Sequence, residues 1–220
     1  MAYPRSYKRS YNKRSYNKKQ PWYRKKYDAM DIATKAAKGV WYLKGLVNSE
    51  MLHNQSTGNT TTSSTGTVTL LNGMAQNDTS SGRTGNSILM RNIFLRLGFQ
   101  QHPSATSTTY RVMLVLDTQQ VGDTSPAISD ILETVNVYAP LATANTGRFK
   151  IMKNWFFNTN NASNTFKQLN LYKDVRFHTR YNGPANTDIT KNGLYLVALS
   201  DQATNLPTFA YTWKVGYHDN

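Results

Sequence analysis

The residues whose types and spacing suit them to chemistry are crowded into the first 27 positions. Arg5, Lys8, Arg9, Lys13, Arg14, Lys18, Lys19, Arg24, Lys25 and Lys26 fall there without one carboxylate, and the first acid is Asp28. A five-residue unit, Lys8-Arg9-Ser10-Tyr11-Asn12, recurs at once as Lys13-Arg14-Ser15-Tyr16-Asn17, and Arg5-Ser6-Tyr7 echoes it. Tyr7, Tyr11, Tyr16 and Trp22 are interleaved with these charges. Cations at this density neutralise phosphates and release condensed counterions. Flat rings stack on unpaired bases, at about 1–3 kcal/mol per base, with little sequence preference. The chemistry is that of a non-specific arm for single-stranded nucleic acid. A basic run of this kind also reads as a solubilising tail or a nuclear-import signal. A membrane-surface helix is disfavoured, because the repeat is five residues and not 3.6.

Such an arm cannot bury a core. It has almost no aliphatic side chains and its like charges repel, which predicts disorder in the free chain. The rest of the sequence is differently charged. Ten of the 26 Lys and Arg residues lie in the arm and none of the 12 acids does, so a formal charge of +14 is strongly polarised. The remainder is long enough for one domain with a sizeable core. The chain has no cysteine, which excludes disulfides and thiolate metal sites. No apolar run follows the first charges, so no signal peptide is expected, and no window approaches the ~20 apolar residues of a membrane span. An intracellular product without membrane insertion is expected.

The elements that must carry the arm follow in order. Asp28 to Lys38 has helical spacing through Ala29, Ile32, Ala36 and Val40, with acids at its start and lysines near its end. Gly39 is expected to stop it, and Val40 to Val47 to lead into the body. About eight strands follow. A short one is expected near Asn48 to His53, then a polar loop from Asn54 to Gly66, then a strand over Thr67 to Leu71. A long strand over Ser87 to Gln101 puts Ile93, Leu95, Leu97 and Phe99 on one face. Thr109 to Asp117 is apolar on both faces and reads as fully buried. Ser125 to Leu132 suggests a helical turn. Strands over Arg148 to Phe157, within Thr165 to Tyr181, and over Gly193 to Ser200 come next. The clearest alternation is Phe209, Tyr211, Trp213, Val215 and Tyr217. Period-two strands joined by turn-rich connections argue for an all-β antiparallel sandwich or barrel.

Enzymatic signatures are missing. His53, His102, His178 and His218 lie far apart without an HExxH pair, and no GxSxG elbow occurs. Gly82-Arg83-Thr84-Gly85 lacks the GK[ST] end of a phosphate loop and reads as a turn placing Arg83 at a subunit contact. Asp117, Asp123 and Asp130 could help hold calcium between subunits, although ordinary loop acids fit their spacing better. Sequons at Asn54, Asn59, Asn77 and Asn161 are the simple product of Asn/Thr/Ser-rich loops. No catalytic or resident cofactor role emerges.

One stretch runs from Asp31-Ile32-Ala33-Thr34-Lys35-Ala36 to Leu43-Lys44-Gly45-Leu46-Val47-Asn48-Ser49-Glu50. Others are Leu71-Asn72-Gly73-Met74-Ala75-Gln76-Asn77, Arg83-Thr84-Gly85-Asn86-Ser87-Ile88, and Arg111-Val112-Met113-Leu114-Val115-Leu116-Asp117-Thr118-Gln119-Gln120. In this order, behind an Arg/Tyr arm, they resemble capsid proteins of small circular Rep-encoding single-stranded DNA (CRESS-DNA) viruses. The branch is the one whose shell domain is similar to satellite tobacco necrosis virus coat protein. The resemblance implies an eight-stranded jelly roll over residues 48–220, preceded by the arm (1–27) and a helix with connector (28–47). It further implies a T=1 shell of about sixty copies, with the arm pointing inward onto single-stranded DNA. Arg176, His178 and Arg180 would then add a patch to the inner wall, unless they are a plain solvated strand face. The virion, and the host nucleus during assembly, are the implied locations. A satellite-like RNA coat protein, or a non-viral jelly-roll nucleic-acid-binding module, are the alternatives.

Overall fold

Strand-forming residues dominate from residue 50 onward, and the polypeptide sorts them into two sheets. The computed structural model describes residues 29–46 and 50–219, with side chains for 30–42 and 50–219. The chain divides into two units, Met1–Asn48 and Ser49–Asn220.

In the first unit, α1 spans Ala29–Leu46. Asp31 lies in its first turn and pairs with Lys35 at 3.0 Å, one helical turn on. The expected stop at Gly39 does not occur. Gly39 is not among the residues with positive φ, and a lone glycine of ordinary helical conformation costs only about 1 kcal/mol. The helix therefore continues through Val40, Trp41 and Tyr42.

The second unit holds β1 (Met51–Thr61), β2 (Thr67–Leu70), β3 (Ser87–Gln100), β4 (Ser107–Asp117), β5 (Phe149–Asn160), β6 (Phe166–Tyr181), β7 (Ile189–Lys191), β8 (Gly193–Ser200) and β9 (Thr208–Asp219). A short helix, α2 (Ile128–Ile131), falls in the long β4–β5 connection where a helical turn was expected. One sheet has the order β1-β9-β3-β6-β7 and the other β2-β8-β4-β5, every pairing antiparallel. With the three-residue β7 set aside, the pairings nest: β1 with β9, β2 with β8, β3 with β6, β4 with β5. That is one long antiparallel hairpin rolled into a two-sheet sandwich, the jelly roll.

Two expectations fail at the margins. Asn54 to Gly66 is not simply a loop: β1 pairs with β9 along its full length, from Met51↔His218 to Thr61↔Thr208. Its Asn, Gln, Ser, Thr and Gly content hides it, because an edge strand can be polar on its open face. The strand count rises from eight to nine because β7 adds a three-residue margin beside β6.

The main core lies between the sheets. Ile93, Leu95, Leu97 and Phe99 of β3 meet Val112, Leu114 and Leu116 of β4 and Leu194 and Leu196 of β8 in one buried cluster. Phe99 stacks on Phe209 at 4.7 Å and tilts against Tyr110 and Phe157, both at 5.2 Å, joining the sheets through rings. Such aromatic pairs add about 0.5–1.5 kcal/mol each beyond area burial. A second cluster lies on the outside of the four-stranded sheet. There Met113, Val115, Tyr195, Val197 and Leu199 are roofed by Ile128, Ile131, Leu132, Val137 and Ala139 of the β4–β5 connection.

Arg83 is also corrected. It does not reach outward to a subunit contact but is fully buried. Its guanidinium donates to the carbonyls of Met74, Gly85 and Gly183 and lies 3.9 Å from the centroid of the Tyr181 ring. It pins the turn Gly82-Arg83-Thr84-Gly85 to the barrel end. Burial pushes the Tyr181 phenol well above its ordinary value, so the ring stays neutral beside the cation.

Candidate nucleic-acid interface

The arm residues predicted to meet nucleic acid, from Arg5 to Lys26 with Tyr7, Tyr11, Tyr16 and Trp22, lie outside the described residues. The interface that can be built from the structure is the outer face of the five-stranded sheet. It exists because β3, β6 and β9 bury one side of their alternation and leave the other. On β6 the buried side carries Leu169, Leu171, Val175 and Phe177. The opposite phase presents Tyr172, Asp174, Arg176, His178 and Arg180, all exposed. Arg176, His178 and Arg180 thus share one open face, as their spacing predicted. Ser87 Oγ lies 3.4 Å from His178 Nδ1, the two being two residues out of register, diagonal neighbours across the β3–β6 ladder.

Strand register brings further residues onto this face. Arg96 faces Asn170 of β6 and Thr212 of β9, and Phe94 faces Tyr172 and Lys214. The β-bulge between Met90 and Asn92 turns Arg91 toward the same side, where it lines a depression with Tyr172, Asp174 and Arg176. His53 of β1 lies beside Lys214. Burial and the Lys214 charge both hold the His53 imidazole below its ordinary value. Against Arg91, Arg96, Arg176, Arg180 and Lys214, the strands place one carboxylate on the face, Asp174. A surface with this balance attracts polyanions.

None of Phe94, Arg96, Tyr172 or Lys214 was singled out from the sequence. The phase of Phe94, Arg96 and Lys214 is legible, since each falls between residues assigned to one face, whereas Tyr172 precedes the part of its strand where alternation was read. Their adjacency is not, because it depends on the β3–β6 and β3–β9 registers.

The acids considered for calcium do not converge. Asp117 is buried and gripped by Arg148, whose Nε and Nη2 donate at 3.0 and 2.7 Å. Asp123 accepts from Asn182 at 3.2 Å, and Asp130 accepts from the Ala127 N–H at 2.9 Å. Among the described residues no three His, Asp or Glu side chains form a metal-binding group.

The nested two-sheet topology, with one outer face roofed and the other open and cationic among the described residues, defines a jelly-roll fold. The family model described as satellite tobacco necrosis virus coat protein matches residues 42–220, most of the chain, and the chain belongs to that family. It is a viral capsid protein, a structural component of the virion. A search of curated proteins gave no match to the chain.

Proposed function

We propose that the chain self-assembles into a small icosahedral shell, T=1 with about sixty copies, and packages a single-stranded DNA genome of the CRESS-DNA type through its basic arm. The observation that supports this most is the union of a coat-protein jelly roll with a charge distribution concentrated in residues 1–27. Ten arm cations on each of about sixty chains supply roughly 600 positive charges, enough to neutralise a comparable number of phosphates. The sandwich supplies the lateral contacts between copies. The arm also serves as the signal for a host import receptor, which places assembly in the nucleus. A single-stranded RNA cargo is the second reading. The matched family is named for a satellite virus, and stacking with phosphate contacts serves either polymer.

The test is electron microscopy of purified full-length protein, with absorbance ratios and nuclease typing of the contents. Closed particles of the size expected for sixty copies, with DNase-sensitive cargo after assembly with both polymers in competition, are expected. Particles that select RNA in that competition overturn the DNA reading. Persistent monomers or small oligomers across salt and pH overturn the shell reading. A chain lacking Met1 to Tyr27 is expected to form empty shells. Normal nucleic-acid content in those shells overturns the role of the arm.

A further inference from the structure

Rings as well as charges occupy the open face of the five-stranded sheet. Phe94 and Tyr172 are direct partners across the β3–β6 ladder, and Lys214 faces Phe94 across the β3–β9 ladder. One row of the sheet therefore reads Lys214, Phe94, Tyr172. In the next row the Arg96 guanidinium lies 5.3 Å from the centroid of the Phe94 ring. Farther along, the Phe166 ring lies across Gly98, where an added β-carbon would sit 3.2 Å from the ring. Gly98 and Ala210 keep the floor low there. A depression of about 310 Å³ opens between Arg96, Phe166 and Thr212. A second, of about 650 Å³, opens between Arg91, Tyr172 and Arg176. Tyr172 is 66% exposed and Phe166 49%.

We propose that this face is a track for single-stranded nucleic acid, a second binding surface beside the arm. In it Phe94, Tyr172 and Phe166 stack unpaired bases, while Arg91, Arg96 and Lys214 hold the neighbouring phosphates. The assignment rests on the packaging reading above and adds a site to it. Charge complementarity selects a polyanion, because the strands set Asp174 against Arg91, Arg96, Arg176, Arg180 and Lys214, with Glu50 beside Lys214 at the β1 edge. The interleaved rings select a polyanion with exposed flat groups. A duplex hides its base faces within its own stack, whereas a single strand offers them. The bland alternative, a merely solvated strand face, does not account for large rings held open beside guanidinium groups at the rims of two depressions.

Photocrosslinking of the full-length protein to an iodouracil-substituted oligodeoxythymidylate, with the adducts mapped by mass spectrometry, tests the track. Adducts at Phe94, Tyr172 or Phe166, in addition to the arm, are expected. Adducts confined to residues 1–27 overturn the track and leave the packaging reading standing. Absence of adducts anywhere at low salt overturns both. A Phe94→Leu/Tyr172→Leu variant keeps apolar bulk on the sheet and removes the rings. With an unchanged unfolding midpoint as the control for folding, it is expected to bind the oligonucleotide about five-fold more weakly or worse. Wild-type affinity in that variant overturns stacking, as does an equal loss of affinity for inorganic polyphosphate, which has no base to stack.

Discussion

β8 buries every residue from Gly193 to Ser200, whereas β6, twice as long, exposes nearly every second side chain. The two strands belong to opposite sheets of one sandwich and share its interior. They differ in what lies outside. Over β8 and β4 the connection between Asp117 and Phe149 folds back as a roof, bringing Ile131, Leu132 and Val137 onto Met113, Val115 and Val197. No comparable apolar roof is seen over β6, β3 and β9 among the described residues. A strand's outward residues follow what covers them: aliphatic under the roof, cationic and aromatic without it. Both sheets share the inner core, but the outer face of one is thus given to stability as well, while that of the other carries residues that stability does not need.

The comparison breaks most visibly at the roof's hinge. Asp117 ends β4 and Arg148 opens the return to β5, and their ion pair at 2.7 Å closes the connection. Asp117→Ala leaves Arg148 without its carboxylate and is expected to destabilise the protein by about 3 kcal/mol in urea unfolding. Under the roof, Leu132→Ala is expected to cost about 2–4 kcal/mol by the same measurement, because a fully buried leucine leaves a cavity. On the open sheet, Arg96→Gln and Lys214→Gln are each expected to shift stability by no more than about 0.5 kcal/mol. Equal losses on the two sheets would erase the distinction. The same two substitutions sharpen it in binding: each is expected to lower the salt dependence of oligonucleotide affinity by about 0.7 in log–log slope.

The smallest effect is a pH dependence. His53, whose folded value is depressed, takes up its proton in the unfolded chain first. Its contribution to stability is complete above about 6.5, the unfolded value, and is lost as pH falls through that value and the lower folded one. His53→Gln is therefore expected to lose less stability than the wild type between pH 8 and pH 5, read from urea midpoints.

Much of this architecture is legible along the chain, and the exceptions have physical causes. Phe209 to Tyr217 announces a strand with one buried face, and Val112 to Leu116 one with two, because burial writes itself into side-chain type. Only the start of β1 is legible, as the short strand expected near Asn48 to His53; beyond it an edge strand need bury little, and its Asn, Gln and Thr residues are held by the backbone ladder to β9. Gly39 misleads because glycine ends a helix only where the chain turns left-handed. Arg83 misleads because the carbonyls that surround it come from Met74, Gly85 and the distant Gly183, so its burial is a tertiary fact. The open face falls between these cases. Arg176, His178 and Arg180 are visible as one phase of one strand. Phe94, Tyr172 and Lys214 become neighbours only through register, across intervals no local pattern spans.

The nested pairing also sets a schedule for the molecule's birth. β9 lies between β1 and β3, and its ladder to β1 joins Met51 to His218. Until β9 has left the ribosome, at roughly 5–20 residues per second, the five-stranded sheet is split, with β1 unpaired and β3 bare along one edge. Contacts this distant in sequence close slowly. A chain without β9 leaves strand edges unpaired and apolar core surface bare, and β9 is the clasp that closes the sheet. The sandwich therefore closes only once the whole span from β1 to β9 is available, so this domain folds after its strands are made and not strand by strand as they emerge.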